Sequence, residues 1–202
     1  SDVDGTIITR DISLPQIIRQ AVQDFQSAGG YFSLCTGRSI IATQSIAREL
    51  DTNLPCILYG GAALFDFKKD QFLWMQPFVN DEILASIRMV YEKYPDISIQ
   101  VLCDDHIYIV RRNQRLNLRG IAVENEGPIE EIASIHGNIL KIVMCSDSTE
   151  NLSACQSFFS ENIAIFAFSS RNFVDIVPKG AGKAGAIRRL ADFCNIPLSD
   201  FH

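Results

Sequence analysis

No apolar run among the 202 residues approaches the about 18 that a bilayer span needs, so no membrane helix is expected. Histidine is scarce: His106, His136 and His202 lie far apart, and none has a second ligand at helical or hairpin spacing. That excludes a zinc site of the usual kind. Basic residues are outnumbered, with 18 Lys+Arg against 24 Asp+Glu and a formal net charge of −6. A general nucleic-acid binder would carry a basic stripe instead. A small phosphorylated substrate remains compatible, because a few local cations outweigh a mild overall charge. The six cysteines include no C-x-x-C pair, and most sit in apolar runs such as Phe-Ser-Leu-Cys35 and Lys-Ile-Val-Met-Cys145. They read as small buried hydrophobes in a reducing compartment rather than a disulfide framework. No signal-peptide pattern opens the sequence, and a cytoplasmic location is the expectation. There is no internal repeat and no low-complexity segment, and nothing here fixes an oligomeric state.

What the chain does contain is an ordinary globular composition, 47% hydrophobic and 21% charged, long enough to bury a real core. Its most informative segment comes first, Ser-Asp2-Val-Asp4-Gly5-Thr6-Ile. At the end of a β-strand, side chains at i and i+2 point the same way. Asp2 and Asp4 would then face one small pocket, one carboxylate attacking while the other handles a proton. Gly5-Thr6 permits a sharp turn that aims N–H groups at an anion. The competing reading is an Asx-rich turn without chemistry.

Downstream, Ser13-Leu-Pro-Gln16 predicts a capped helix start, with apolar residues at Ile17, Ile18, Ala21, Val22 and Phe25 and a stop at Gly29-Gly30. Residues 31–35 predict a short buried strand, Thr36-Gly37-Arg38-Ser39 a turn into a second helix to about Leu50, and residues 55–59 another strand. This alternation predicts parallel βαβ units and an α/β sheet. From about residue 62 the pattern changes. Hairpins are expected at 63–66/71–75 and 97–103/107–111, helices at 81–94 and 149–159, a weak helical stretch near 129–135, and strands at 139–145, 163–168 and 173–177. Such clustering reads as an α+β module inserted into the α/β one, followed by a helix over 183–194.

Two further anchors stand out. Thr36-Gly37-Arg38 falls where a strand ends and a helix begins, the edge at which open α/β sheets bind ligands. A helix N-terminus there offers N–H groups to a phosphate, with a Thr36 hydroxyl and an Arg38 cation beside them. Ser39 is equally explained as a plain helix cap. Lys183, in Gly180-Ala-Gly-Lys-Ala-Gly185, opens a helix, where the dipole disfavours a cation unless an anion is near. An exposed lysine is the alternative. Ala184 follows the lysine, so the segment is not a nucleotide P-loop.

In this order, the three signals resemble the haloacid dehalogenase superfamily, and more narrowly its Cof-type phosphatases, over essentially the whole chain. The resemblance implies a Rossmann-like parallel sheet core, residues 1–78 and 179–202, with an inserted α+β cap domain, residues 79–178, that closes over the site and excludes water. It implies Asp2 as the nucleophile that forms an aspartyl phosphate and Asp4 as general acid, then general base. Thr36, Gly37 and Arg38 would bind phosphate, and Lys183 would steady Asp2 and the developing charge. One Mg²⁺ would sit on the Asp2 carboxylate and the Asp4 backbone carbonyl. The substrates would be small phosphorylated metabolites, sugar phosphates first among them.

The sequence departs from that pattern twice. Gly60-Gly61-Ala62 stands where relatives generally have Asn-Gly-Ala, and the Gly-Asp…Asn-Asp motif that supplies further metal carboxylates is not found among the 202 residues. The apolar strand expected before Asp2 is not among them either. The expectation is therefore a portion of a longer protein, shorter by roughly 70 residues on ordinary domain sizes. Two other functions fit the residues: a sugar phosphomutase of the same superfamily, and a non-catalytic remnant without the metal site. Tyr108, Arg111 and Arg112 on the second hairpin are candidates for substrate choice or plain solvated strand residues.

Overall fold

A computed structural model describes residues 1–8, 13–117 and 122–201. In chain order the elements are α1 (Gln16–Ser27), α2 (Ile40–Glu49), β1 (Cys56–Leu58), β2 (Ala63–Asp66), β3 (Gln71–Met75) and α3 (Asn80–Lys93). They continue with β4 (Ser98–Cys103), β5 (Ile107–Arg111), α4 (Gln114–Asn117), α5 (Ala122–Asn125), β6 (Ile139–Cys145) and α6 (Thr149–Cys155). The last are β7 (Ala164–Ser170), β8 (Phe173–Pro178) and α7 (Lys183–Cys194). The fold is α/β, and it divides into two compact units, Ser1–Met75 with Ala181–His202, and Gln76–Gly180.

In the first unit the sheet β1-β2-β3 is antiparallel. Its parallel side is made by shorter pairings. Ile57 N–H donates to the Leu34 carbonyl at 2.8 Å and Thr36 N–H to the Ile57 carbonyl at 2.9 Å, giving a parallel bridge Cys35↔Ile57. On the other side of this segment Ser1 N donates to the Ser33 carbonyl at 2.8 Å and Cys35 N–H to the Ser1 carbonyl at 2.7 Å, again in a parallel pattern. Residues 31–35 thus pair as the predicted strand would, but through a single bridge rather than a full ladder. Parallel neighbours share their C-terminal edge, so Asp2 and Thr36 leave the sheet at the same end. Against it packs α7, with Ala186 and Leu190 buried on Ile57 and Leu64.

Helix α1 differs from its predicted start. Pro15, extended at φ −62° and ψ 142°, is the N-cap, and no side chain caps the helix, so the Ser13 capping box does not form. Val22 is its buried residue, while Ile17 and Phe25 are 76% and 52% exposed. Its end follows the prediction: Gly29, at φ +89°, lets Gly29 and Gly30 N–H return to the Gln26 and Phe25 carbonyls. At α2 the plain reading of Ser39 holds, since its hydroxyl accepts the Ala42 N–H at 3.4 Å.

The second unit is a five-stranded sheet ordered β5-β4-β6-β8-β7, antiparallel at every pair. Side chains alternate between its faces. Ile99 and Val101, Ile142 and Met144, and Val174 and Ile176 share one face with the buried stripe Ile83, Ile87 and Val90 of α3. That i, i+4, i+7 spacing is one side of a helix, and each such fully buried side chain is worth about 1.5–3 kcal/mol. Opposite-face positions are more polar: Gln100 and Lys141 are fully buried, and the Lys141 ammonium meets Asp175 at 2.9 Å. The weak stretch near residue 132 is a single 3₁₀ turn, Ile132–Ser134, and the helix predicted over 149–159 ends in another, Gln156–Phe158.

Candidate active site

The opening motif leaves its pairing at Ser1 and passes at once into a turn. The Val3 carbonyl accepts N–H groups from Thr6, Ile7 and Ile8, wrapping Asp4-Gly5-Thr6 around one oxygen with Gly5 at φ +74°. Val3 itself is fully buried, which anchors the turn while its two flanking carboxylates stay half exposed, 43% for Asp2 and 52% for Asp4. The i, i+2 alternation therefore does not by itself bring the acids together. Their partners define the site.

Asp2 accepts the Val3 N–H on Oδ1 at 2.8 Å, and its Oδ2 meets the Lys183 ammonium at 2.8 Å. The cation that the helix dipole disfavours at the start of α7 thus has its anion. Asp4 is gripped by Arg38, whose Nε donates to Oδ2 at 2.9 Å and Nη2 to Oδ1 at 2.6 Å. This is a two-pronged guanidinium–carboxylate pair. The Arg38 Nη1 donates to the Ala42 carbonyl at 3.2 Å, and the residue is only 5% exposed. Arg38 thereby spends its guanidinium on a carboxylate and the backbone of α2.

Thr36 is fully buried. Its Oγ1 accepts the Arg38 N–H at 3.2 Å, and its carbonyl accepts the Gly60 N–H at 3.0 Å. Cys35 adjoins the Asp2–Lys183 pair. Burial pushes its thiol up, with the Lys183 ammonium pulling the other way, so it stays protonated at neutral pH and offers no rival nucleophile.

The structure thus brings Asp2, Asp4, Thr36, Arg38 and Lys183, from three separate stretches, to one end of the first unit's sheet. It does not gather three or more His, Cys, Asp or Glu into a metal-holding group among the described residues. The chemistry of the donors that are present, a carboxylate and a backbone carbonyl on one turn, is all oxygen. It fits a hard ion that takes one or two carboxylates and keeps its waters.

Tyr108, Arg111 and Arg112 belong to the second unit and have structural partners. Tyr108 is 1% exposed, with its hydroxyl on His136 Nδ1 at 2.7 Å. Arg111 stacks on Tyr91 at 3.9 Å and donates to its carbonyl, and Arg112 donates to the Asn125 and Gly127 carbonyls. His202 lies outside the described residues. A cavity of about 310 Å³ lined by Tyr31, Asn53, Asp66, Lys69 and Phe193 contains none of the clustered residues.

Sequence reasoning ended a strand at Gly60-Gly61 but missed how the turn over 59–61 bonds to the site residues. Tyr59, Gly60 and Gly61 all have positive φ, at 53°, 70° and 99°. The Tyr59 and Gly60 N–H groups donate to the Arg38 and Thr36 carbonyls, both at 3.0 Å. Its one signal was the paired glycine at a strand end.

Residues 1–201 match the haloacid dehalogenase-like hydrolase family. The 5-amino-6-(5-phospho-D-ribitylamino)uracil phosphatase YwtE of Bacillus subtilis (strain 168) is 22% identical over 228 residues, covering 100% of this chain and 78% of the relative. Among solved structures, a haloacid dehalogenase-like hydrolase from B. subtilis superposes with a TM-score of 0.82 at 18% identity, covering 98% of this chain and 78% of the other. A sugar phosphatase of subclass IIB of that superfamily also gives 0.82, at 15% identity with 98% and 76% covered. The chain belongs to the haloacid dehalogenase-like hydrolases, Cof type, and is a hydrolase of the phosphatase class. No described helix is long and apolar enough to cross a membrane.

Proposed function

We propose that the protein is a Mg²⁺-dependent phosphatase of small phosphorylated metabolites, sugar phosphates first among them, acting in the cytoplasm through an aspartyl phosphate on Asp2. The observation that carries this reading is the pair of ion pairs, Lys183–Asp2 at 2.8 Å and Arg38–Asp4 at 2.6 Å, converging from opposite parts of the chain. In it the first unit is the catalytic core and the second the cap that selects substrates.

A carboxylate attacking a phosphoryl group must approach negative charge, and a cation beside the nucleophile lowers that repulsion. Lys183 holds the Asp2 carboxylate in one orientation and stays half exposed, within reach of an incoming phosphate oxygen. Asp2 Oδ attacks phosphorus, the bond to the leaving alcohol breaks, and Asp4 donates the proton that the alkoxide takes up. Asp4 then takes a proton from the water that attacks the aspartyl phosphate, releasing inorganic phosphate and restoring Asp2. Of this turn, the Thr36 hydroxyl and the Gly37 N–H would meet phosphate oxygens, while the Thr36 and Arg38 N–H groups serve the Ile57 carbonyl and Thr36 Oγ1. Both Asp4 oxygens accept from Arg38 in this arrangement, so that grip belongs to the carboxylate form and must open for the acid step. The Asp2 carboxylate and the Asp4 carbonyl would hold Mg²⁺, which supplies charge neutralisation when bound.

The experiment is phosphate release by the full-length protein from p-nitrophenyl phosphate and a panel of sugar phosphates and nucleotides, with and without Mg²⁺. An Asp2→Asn variant that hydrolyses at the parental rate overturns the assignment.

A further inference from the structure

Gly61 does more than turn the chain. A Cβ built on it would lie 2.3 Å from the carbonyl carbon of Gly182, 2.5 Å from its oxygen and 2.7 Å from the Lys183 nitrogen. Those are backbone atoms, which no rotamer change removes. Other glycines in the first unit set this apart. Gly5 and Gly29 also have positive φ, at +74° and +89°, yet nothing lies within 4 Å of their missing Cβ atoms. At those positions only the dihedral asks for glycine, and asparagine would serve. At Gly61 the backbone of another segment occupies the space.

That segment is the start of α7, where Gly182 is the N-cap at φ +141° and Lys183 the first helical residue. The turn carrying Gly61 is fixed from its other side. Tyr59, 2% exposed and at a positive φ that a tyrosine rarely adopts, donates its N–H to the Arg38 carbonyl, and Gly60 donates to the Thr36 carbonyl. Residues 59–61 therefore lie between the two groups of site residues, bonded to one and in van der Waals contact with the other.

We propose that Gly61 is a positioning residue: by allowing backbone contact with Gly182 and Lys183, it sets the first turn of α7, and with it the Lys183 ammonium, against Asp2. The proposal rests on the phosphatase reading for its consequence in rate, but not for its geometry. Any side chain at residue 61 pushes the start of α7 away by the better part of an ångström, since real Cβ contacts fall no closer than ordinary van der Waals distance. Misplacement on that scale costs about 100-fold in rate at a preorganised site.

The test uses the full-length protein with Gly61→Ala and Gly61→Asn, the latter because asparagine tolerates positive φ and so isolates the clash. Both are expected to lower kcat/KM for p-nitrophenyl phosphate by about 100-fold. In a Lys183→Ala background the same changes should cost less than about threefold, because the two residues act through one interaction. Gly29→Ala, remote from the site with a similar φ, should leave the rate unchanged and report the cost of the dihedral on melting temperature. An activity-independent measurement runs beside these: site-resolved acylation of Lys183, read by mass spectrometry, should rise several-fold in both Gly61 variants, as in Asp2→Asn. If the parent shows no phosphatase activity, the functional reading fails while the acylation result still decides the positioning. Should the Gly61 variants not fold, Gly182→Ala, which meets no neighbour but strains the N-cap at φ +141°, displaces the same helix start through its backbone and should likewise expose Lys183. Unchanged Lys183 acylation in a folded variant, or fully additive losses with Lys183→Ala, overturns the proposal.

Discussion

Each unit contains a lysine–aspartate pair of almost the same length, and the two pairs do different work. Lys183 meets Asp2 at 2.8 Å with side chains 41% and 43% exposed; Lys141 meets Asp175 at 2.9 Å with the lysine side chain fully buried and the aspartate 23% exposed. Burial decides the difference. An ammonium taken wholly out of water needs its carboxylate to stay charged, so Lys141 is tied to the sheet that covers it. A half-exposed pair gains little stability, because water already solvates both partners. Lys183 is therefore held in place but not used up, which suits the role proposed for it. The surroundings follow the same division. The second unit is an antiparallel ladder over an apolar core, whereas the first reaches its site through turns at Gly5, Tyr59, Gly60, Gly61 and Gly182, all at positive φ.

The sharpest way to break this comparison is to remove charges from the exposed pair. Asp2→Asn is expected to lower phosphatase turnover by about 10⁴-fold or more and Lys183→Ala by about 10³-fold, following what loss of a nucleophile or a charge stabiliser costs elsewhere. Either change should shift unfolding stability by no more than about 1 kcal/mol. Steady-state kinetics and urea melts on the same preparations check both halves. A large loss of stability with intact turnover would place Lys183 with the structural lysines.

The buried pair should behave in the opposite sense. Lys141→Ala leaves Asp175 without its ammonium and opens a gap in the sheet face. The expected cost is about 2–3 kcal/mol, below the usual figure for a broken buried pair because Asp175 keeps some solvent. Turnover per folded molecule on p-nitrophenyl phosphate should stay within about threefold of the parent. Equal losses of rate and stability would erase the distinction between the pairs.

Arg38 sits between these extremes, with a buried guanidinium on a half-exposed carboxylate. Arg38→Lys keeps one charge but cannot donate to both oxygens of Asp4 and to Ala42 at once. A loss of about 10-fold in kcat is expected, larger for alkyl phosphates than for p-nitrophenyl phosphate, whose leaving group needs no proton. Equal losses for both substrates would separate Arg38 from the orientation of Asp4.

Much of this was legible from residues alone, unevenly so. The hairpin strands 63–66 and 71–75, the strand 139–145 and the helix 183–194 coincide with the observed elements to the residue. Apolar runs there are bounded by turn residues, and both signals are local. The Ser13 capping box failed because Pro15, extended, delays the helix until Gln16. In the site, Asp2, Asp4, Thr36 and Lys183 were recognisable by type and order. What was not legible is tertiary: Arg38 could equally have faced a phosphate, and its actual partner lies 34 positions away. Nothing in the pair Gly60-Gly61 distinguishes a glycine needed for its dihedral from one needed for a close approach, since the approaching backbone comes from residue 182.

The smallest expected effect bears on the second unit's core. Burial pushes the Cys103 and Cys155 thiols up to about 12 from an ordinary value of 9.0. In the unfolded chain these thiols ionise near 9.0, while in the folded unit they remain neutral. Above pH 9 the unfolded state therefore holds fewer protons, and stability falls as pH rises, until the folded thiols also ionise near 12. Their contribution is fully present below pH 8 and declines across the window from about 9 to 12. At pH 9.5 each thiol should account for a loss of roughly 0.8 kcal/mol. Melting temperatures measured at pH 7.5 and 9.5 for the parent and for Cys103→Ala and Cys155→Ala check this. The variants start lower because each opens a small cavity, but their further drop on going to pH 9.5 should be smaller than the parent's. A parallel decline in all three proteins would show that these thiols do not govern the alkaline stability of the core.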